Sequence, residues 1–301
     1  RRGGSGGGGG RGGDDRRVLL WRRVRLGDAA GCTWKVACRQ AQHQNDITSL
    51  EWTKDGRYLV SGSLDKTVIV YRFDTSKDEL VPVGRFEARG FVKGLCVHGY
   101  LVAVQSDDRT AYILRIDPSS ADPLQSTGSV NILSKKAEIT DCFAKSSDNV
   151  FFMRPSFSPD GALVAFANCS NGPIPTCSLV QIDSITGLVV EAAPIVSLVG
   201  HYGPVEVCRF SPCLYSLPSL HGSHGPHPSM ILATGGQDGT VALWSNSSTT
   251  PLVVLTDLSE SSVTDLCWSE CGRVLYVCFY EGFVVSVKLE SVFTGNVTSA
   301  V

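Results

Sequence analysis

Two groups of side chains in the sequence have types and spacing that could do chemistry. Asp107 and Asp108 are adjacent carboxylates, the residue type that general acid–base catalysis and hard metal ions use. Cysteines and histidines also lie close together in one segment, at Cys208, Cys213, His221, His224 and His227. Their spacing fits no zinc finger, and Cys208 alternates with Phe210 as a core residue would. A glycine-rich phosphate loop ending in Gly-Lys-Ser/Thr is absent from the sequence. We therefore predict no enzyme, no metal site and no cofactor.

Charge is distributed unevenly along the chain. The 301 residues carry 27 Lys and Arg against 29 Asp and Glu, a net charge of −2. Eight of the arginines and two of the aspartates lie in residues 1–25, so the remainder has 19 basic and 27 acidic residues and a net charge of −8. Residues 1–17 form a Gly/Arg-rich head that we predict to be disordered. A solvated tail is the preferred interpretation of this head, with nucleic-acid binding through charge as the alternative. The acidic remainder suits basic partners.

Two further patterns concern the environment of the protein. No window of the sequence approaches the roughly 18–20 uninterrupted apolar residues that a membrane helix needs, so no membrane segment is predicted. Most of the eleven cysteines lie inside apolar runs, and their number is odd. This usage favours buried, reduced thiols in an intracellular protein over a disulfide scaffold.

The elements that position these side chains are short strands in a repeating unit. Apolar runs of a few residues alternate with Gly/Asp/Ser/Pro clusters, as in an all-β protein. Asp65 and Asp108 lie 43 residues apart, and Asp238 and Glu281 lie 43 residues apart as well. A four-stranded unit of about 40–45 residues predicts a propeller blade. We predict five blades, at residues 36–74, 83–117, 139–190, 195–246 and 252–290, with surface loops at 118–138 and 213–229.

The turn residues of two blades resemble the WD40 signature. Gly200-His201 opens the fourth blade, Asp238 lies in a tight turn, and Trp244 ends the inner strand. In WD40 repeats the histidine, a strand hydroxyl, the aspartate and the tryptophan form a hydrogen-bonded set that locks the blade. The resemblance implies two such blade locks, which we prefer to a general-base role for the histidines. One comprises His43, Ser61 or Ser63, Asp65 and Tyr71, and the other comprises His201, Thr234, Asp238 and Trp244.

Six short motifs in order resemble the HIRA (histone regulator) family over roughly residues 18–290. The clearest are Ser-Leu-Val-Gly-His at 197–201, Pro-Val-Glu-Val-Cys-Arg-Phe-Ser-Pro at 204–212 and Phe-Phe-Met-Arg-Pro-Ser-Phe-Ser-Pro-Asp-Gly at 151–161. The resemblance implies a nuclear, non-enzymatic scaffold of a histone chaperone complex that deposits histones H3 and H4 independently of replication and represses transcription. The implied partners are those histones, a ubinuclein-like subunit and an antisilencing-type chaperone, with chromatin reached indirectly. Neither a membrane nor a small-molecule substrate is implied.

The sequence also departs from the family pattern. The family propeller has seven blades, whereas five and one further strand at 18–22 are recognisable here. We therefore expect residues 18–290 to be part of a seven-bladed ring, truncated at both ends, between the 1–17 head and a 291–301 tail. Two alternatives stay open: the propeller subunit of chromatin assembly factor one, and a generic WD40 adaptor such as a ubiquitin-ligase substrate receptor. The adaptor would need a helical docking motif, which the residues flanking 18–290 do not supply.

Overall fold

The computed structural model describes residues 8–11, 14–25, 32–121, 131–144, 150, 152–217, 227–289 and 297–299. Within these residues the fold is all-β, with one short 3-10 helix at Pro118–Ala121. The chain divides into two compact units, 1–138 and 139–301. The described residues of each unit form three antiparallel sheets, and the predicted all-β, blade-like architecture is confirmed. No helix in the described part of the chain has the length and apolarity needed to cross a membrane.

The first unit contains sheets 1 to 3, numbered in chain order. Sheet 1 consists of β1 (Gly8–Arg11), β2 (Val18–Arg25) and β3 (Cys32–Gln40), paired in that order. Sheet 2 consists of β4 (Ile47–Trp52), β5 (Tyr58–Ser63), β6 (Thr67–Asp74) and β7 (Glu79–Glu87). Sheet 3 consists of β8 (Val92–His98), β9 (Leu101–Ser106), β10 (Thr110–Ile116) and β11 (Leu133–Ile139).

The second unit contains sheets 4 to 6. Sheet 4 consists of β12 (Ser156–Phe157), β13 (Leu163–Asn171), β14 (Ile174–Gln181) and β15 (Val196–Leu198). Sheet 5 consists of β16 (Val205–Leu217), β17 (His227–Gly236), β18 (Val241–Ser245) and β19 (Val253–Leu255), with β23 (Val297–Ser299) on its β16 edge. Sheet 6 consists of β20 (Val263–Trp268), β21 (Val274–Phe279) and β22 (Val284–Lys288).

The sequence repeat and the sheet are offset by one strand. The repeat at 36–74 begins in β3, the last strand of sheet 1, and continues through the first three strands of sheet 2. The repeat at 195–246 likewise begins with β15 of sheet 4 and continues into sheet 5. Each repeat therefore ties two neighbouring sheets together through the continuous chain, as expected of an array in which units contact only their neighbours.

Three segments differ from their sequence-based expectation. Gly8–Arg11, within the head predicted to be disordered, forms β1 along the edge of β2, whose unpaired backbone groups can accept another strand. Residues 133–138 were predicted as part of a loop but belong to β11, an outer strand whose mostly polar sequence hides its pairing. The predicted loop at 213–229 is shorter, because β16 runs to Leu217 and β17 begins at His227.

The core lies between the faces of neighbouring sheets within each unit. Valines and leucines alternate on the inner strands, so one side of each strand meets the next sheet. Gly62 in β5 allows close approach, since a Cβ atom there would lie 2.7 Å from Val92 Cγ1 of sheet 3. This packing holds the turns at the strand ends in fixed positions.

Candidate functional site

The first histidine network forms at one end of sheet 2. His43 precedes β4, Ser61 lies in β5, and Asp65 lies in the turn between β5 and β6. His43 Nε2 is 2.6 Å from Ser61 Oγ, and His43 Nδ1 is 3.0 Å from Asp65 Oδ2. The backbone N–H of Gln44 donates to the same Asp65 oxygen at 2.8 Å. Of the two serines considered, Ser61 contacts the histidine, whereas Ser63 Oγ donates to the carbonyl of Asn45.

The second network repeats this arrangement in sheet 5. His201 precedes β16, Thr234 lies in β17, and Asp238 lies in the turn before β18. His201 Nε2 is 2.8 Å from Thr234 Oγ1, and His201 Nδ1 is 3.3 Å from Asp238 Oδ1. Trp244 Nε1 donates to Thr234 Oγ1 at 2.9 Å, and Tyr202 N donates to Asp238 Oδ2 at 2.8 Å. The structure thus brings together all four residues named for this blade.

Tyr71 occupies the place of Trp244 in the first network but does not join it. The Tyr71 side chain is fully buried, and its hydroxyl has no hydrogen-bond partner among the described residues. Burial raises the pKa of Tyr71 to about 12. Tyr71 therefore contributes packing to sheet 2, whereas Trp244 contributes both packing and a hydrogen bond to sheet 5.

Two threonines complete the networks and were not named from the sequence. Thr67 Oγ1 contacts both Asp65 Oδ1 at 2.6 Å and His43 Nδ1 at 3.1 Å. Thr240 Oγ1 contacts Asp238 Oδ1 at 2.8 Å and His201 Nδ1 at 3.0 Å in the same way. The signal was present as the repeated pattern Asp-x-Thr, since each threonine follows its aspartate by two positions.

The electrostatics favour an ionised aspartate in both networks and a neutral histidine in the first. Burial opposes ionisation of Asp238, but hydrogen bonds from His201, Thr240 and the Tyr202 backbone outweigh it and lower the pKa of Asp238. The pKa of Asp65 is lowered for the same reason, with Thr67 and Gln44 as the main donors. Burial also lowers the pKa of His43, and this effect exceeds the attraction of Asp65.

The networks hold turns and cannot reach a substrate. The His43 and His201 side chains are 0% and 1% exposed, so neither can exchange a proton with a bound molecule. Their geometry ties the loop before one strand to the turn between the next two.

The other candidate residues that the structure describes make contacts within the fold. Asp107 accepts a hydrogen bond from the Phe91 backbone at 2.7 Å, in the turn between β9 and β10. Cys208 is buried in sheet 5, with its Sγ 3.4 Å from the Ala165 carbonyl. His221 and His224 lie outside the described residues, as does the side chain of His227. No three His, Cys, Asp or Glu side chains in the described ranges are placed to hold a metal ion.

Comparisons with known proteins agree with this architecture. The WD40 family (WD domain, G-beta repeat) matches residues 35–72 and 192–245. Protein HIR1 of Candida albicans is 34% identical over 260 residues, which is 85% of this chain and 27% of that protein. Protein hir1 of Schizosaccharomyces pombe is 32% identical over 88% of this chain and 26% of its own length. The chain spans about a quarter of the length of these curated relatives.

Solved structures show the same fold. Chaetomium thermophilum Sqt1 bound to the N-terminus of the ribosomal protein L10 matches with a TM-score of 0.64 and 20% identity, over 93% of this chain and 68% of that chain. A second Sqt1 structure matches with a TM-score of 0.65 and 19% identity, over 93% of this chain and 66% of that chain. At this identity the likeness concerns the fold alone.

Proposed function

We propose that the chain is a non-enzymatic scaffold in a HIRA-type histone chaperone complex. It carries WD40 repeats, and its homologues are the HIR1 proteins of the HIRA family. The observation that carries this proposal is the similarity to HIR1 proteins over 85% or more of the chain. The complex would act in the nucleus, deposit histones H3 and H4 independently of DNA replication, and repress transcription.

We propose that the protein acts by presenting its connecting turns to partner subunits. Packed sheets hold their connecting turns rigidly, and the two buried histidine networks restrain two of those turns at atomic distances. Rigid loops can dock partner subunits without a large loss of conformational entropy on binding. Sqt1, which shares the fold, was crystallised with the N-terminal segment of another protein. This use of the fold supports a scaffold that holds polypeptide segments.

The net charge of −8 carried by residues 26–301 supports basic partners. Acidic surfaces attract basic proteins over distances comparable with the Debye length and speed their encounter. Histones H3 and H4 are the proposed basic partners, together with ubinuclein-like and antisilencing-type chaperone subunits. Chromatin would be reached through these proteins.

Purification of the intact complex tests the proposal. A tagged copy of the chain, expressed in cells of its own source, should recover histones H3 and H4 with chaperone subunits, identified by mass spectrometry against the tag alone. Recovery of ubiquitin-ligase subunits or replication-coupled assembly factors in their place would overturn it. A second measurement follows newly made H3 in cells held outside S phase, where depletion of the chain should reduce H3 incorporation into chromatin.

A further inference from the structure

Two nearly fully exposed tyrosines stand on neighbouring sheets of the second unit. Tyr202 is 98% exposed in the segment before β16, and Tyr280 is 81% exposed in the turn between β21 and β22. Phe283 follows in the same turn and is also exposed. Aromatic side chains are costly to leave in water, and interfaces are enriched in them. Their exposure is therefore typical of a binding surface.

The segments that carry these rings lie at the same end of the strands in their sheets. Val205, at the start of β16, pairs with Gly236, at the end of β17. In sheet 6, Val263 pairs with Phe279, so the start of β20 lies beside the turn that carries Tyr280. The term aromatic rim is used for the four connecting segments at this end of the strands: residues 199–204, 237–240, 256–262 and 280–283.

Direct contacts make the aromatic rim continuous across the two sheets. The backbone of Tyr202 donates to the Asp238 carboxylate at 2.8 Å. The turn after Asp238 then meets sheet 6, because a Cβ atom on Gly239 would lie 2.5 Å from the Ser259 carbonyl oxygen. Tyr280 N in turn donates to the Ser262 carbonyl at 3.0 Å. The two tyrosines thus flank one connected surface.

The charges of the aromatic rim all have one sign. Asp257, Glu260 and Glu281 are exposed there, and Asp238 adds a fourth carboxylate whose oxygens are used in its network. The four segments contain neither lysine nor arginine. In sheet 6, Lys288 pairs with Val274 at the opposite end of the strands. A cationic ligand therefore meets carboxylates and aromatic faces here without an opposing basic side chain from these segments.

We propose that the aromatic rim binds an extended, Lys/Arg-rich peptide segment. Arginine and lysine heads are attracted to the faces of tyrosine rings, and they pair with carboxylates. Carboxylates along the rim repel phosphate groups, which excludes nucleic acid and anionic membranes as ligands of this surface. The inference deepens the proposed function and rests on it for the identity of the peptide, since a basic histone segment has this chemistry.

Peptide binding to the full chain tests the inference. The probe is a fluorescein-labelled peptide of Lys, Arg, Ala and Gly, measured by fluorescence anisotropy beside a peptide in which every Lys and Arg is Glu. The basic peptide should bind, and the combined Tyr202→Ala and Tyr280→Ala variant should bind it about tenfold more weakly. Replacing the same residues with Phe should retain most of the affinity, because the ring faces remain.

Charge is tested separately. The combined Glu260→Gln and Glu281→Gln variant should bind the basic peptide about threefold more weakly, with a smaller loss of affinity when salt is raised to about 0.15 M. Tyr276→Ala is the matched control, because Tyr276 is 41% exposed within β21 and lies outside the aromatic rim. That variant should bind normally, and equal melting temperatures should verify the fold of all variants.

Two results would overturn the inference: unchanged binding by the double alanine variant, and equal binding of the glutamate peptide. The purification of the complex and the peptide-binding measurements can fail separately, because they test different claims. Histone recovery that survives the rim substitutions would refute the aromatic rim and leave the proposed function standing. Rim-dependent peptide binding without histone recovery would refute the proposed function and leave the aromatic rim standing.

Discussion

The indole N–H of Trp244 donates to Thr234 Oγ1 at 2.9 Å, and that oxygen also lies 2.8 Å from His201 Nε2. Asp238 can only accept hydrogen bonds, so the His201 proton belongs on Nδ1, and Nε2 then accepts from the threonine hydroxyl. Thr240 Oγ1 lies 3.0 Å from the same Nδ1, so this proton has two acceptors. The Thr234 hydroxyl contacts two buried side chains.

The Thr234 hydroxyl is expected to be the most sensitive atom of the second network. Thr234→Val keeps the shape of the side chain and leaves both Trp244 Nε1 and His201 Nε2 without a partner. Unsatisfied buried groups make us expect a loss of about 2–4 kcal/mol in the free energy of unfolding, measured by urea denaturation. Thr249→Val, at an exposed position, is the control and should change little. Equal effects of the two substitutions would refute a stabilising role for the network.

Tyr71 should behave in the opposite way from Thr234. Its hydroxyl is buried without a partner, so Tyr71→Phe removes a polar group that gains nothing from the fold. We expect the free energy of unfolding to stay equal or to rise by about 1 kcal/mol in chemical denaturation. A loss of stability in this variant would instead show that the hydroxyl is bonded in solution.

The first network should make stability depend on pH near neutrality. The folded pKa of His43 lies below its ordinary value of 6.5, so the unfolded chain binds the proton more tightly. Stability is then fully present above pH 6.5 and falls as the pH drops toward the folded pKa. His43→Asn should flatten this slope in unfolding measurements between pH 8 and about 5. An unchanged slope would show that the pKa of His43 is the same in the folded and unfolded states.

The carboxylates of the two networks act at lower pH. Their folded pKa values lie below the ordinary value of 3.8, so their stabilisation is present above that value and is lost as the pH falls through the folded pKa. Asp238→Asn should lose stability at neutral pH and show a weaker acid transition than the parent. A transition of unchanged size would place the acid sensitivity elsewhere.

Gly235 should tolerate no side chain while Val263 is present. A Cβ atom on Gly235 would overlap Val263 Cγ1 of the neighbouring sheet. Gly235→Ala should destabilise the protein by about 1–3 kcal/mol, as overpacking does. Combining it with Val263→Ala should recover part of this loss, and a double-mutant cycle measures the coupling. Simple additivity of the two substitutions would refute the contact.

The reactivity of the cysteine thiols should follow their exposure to solvent. Cys32, Cys267 and Cys271 are exposed, and the described structure holds all eleven cysteines as free thiols. Hydrogen bonds from the Ser269 side chain and the Arg273 backbone lower the pKa of Cys271, so it should react first with iodoacetamide at neutral pH. Mass spectrometry after brief labelling should find the buried Cys96, Cys169 and Cys208 unmodified, and unfolding in urea should expose them. Early labelling of those three would contradict the packing.

Much of the site could be predicted from the sequence because its signals are local. The 43-residue spacing located both turn aspartates, and the Gly-His pair located His201. The offset between repeat and sheet could not be predicted, because the partner of an outer strand is set by hydrogen bonds to residues distant in the chain. Leu133–Ile139 was missed for this reason, since a half-exposed outer strand reads as a polar loop.

The sequence by itself determined the all-β class and the repeat period, since these follow from alternation and turn chemistry, and its resemblance to WD40 repeats pointed to the histidine and aspartate of each network. Only the tertiary structure decided between Ser61 and Ser63, because both are buried and the choice depends on which hydroxyl the β4–β5 register places against His43. The same holds for Tyr71 and Trp244, which occupy equivalent positions but differ in whether the polar atom reaches the network. Tyr202 and Tyr280 are ordinary aromatic residues in the sequence. Packing across two sheets leaves both exposed on one continuous edge.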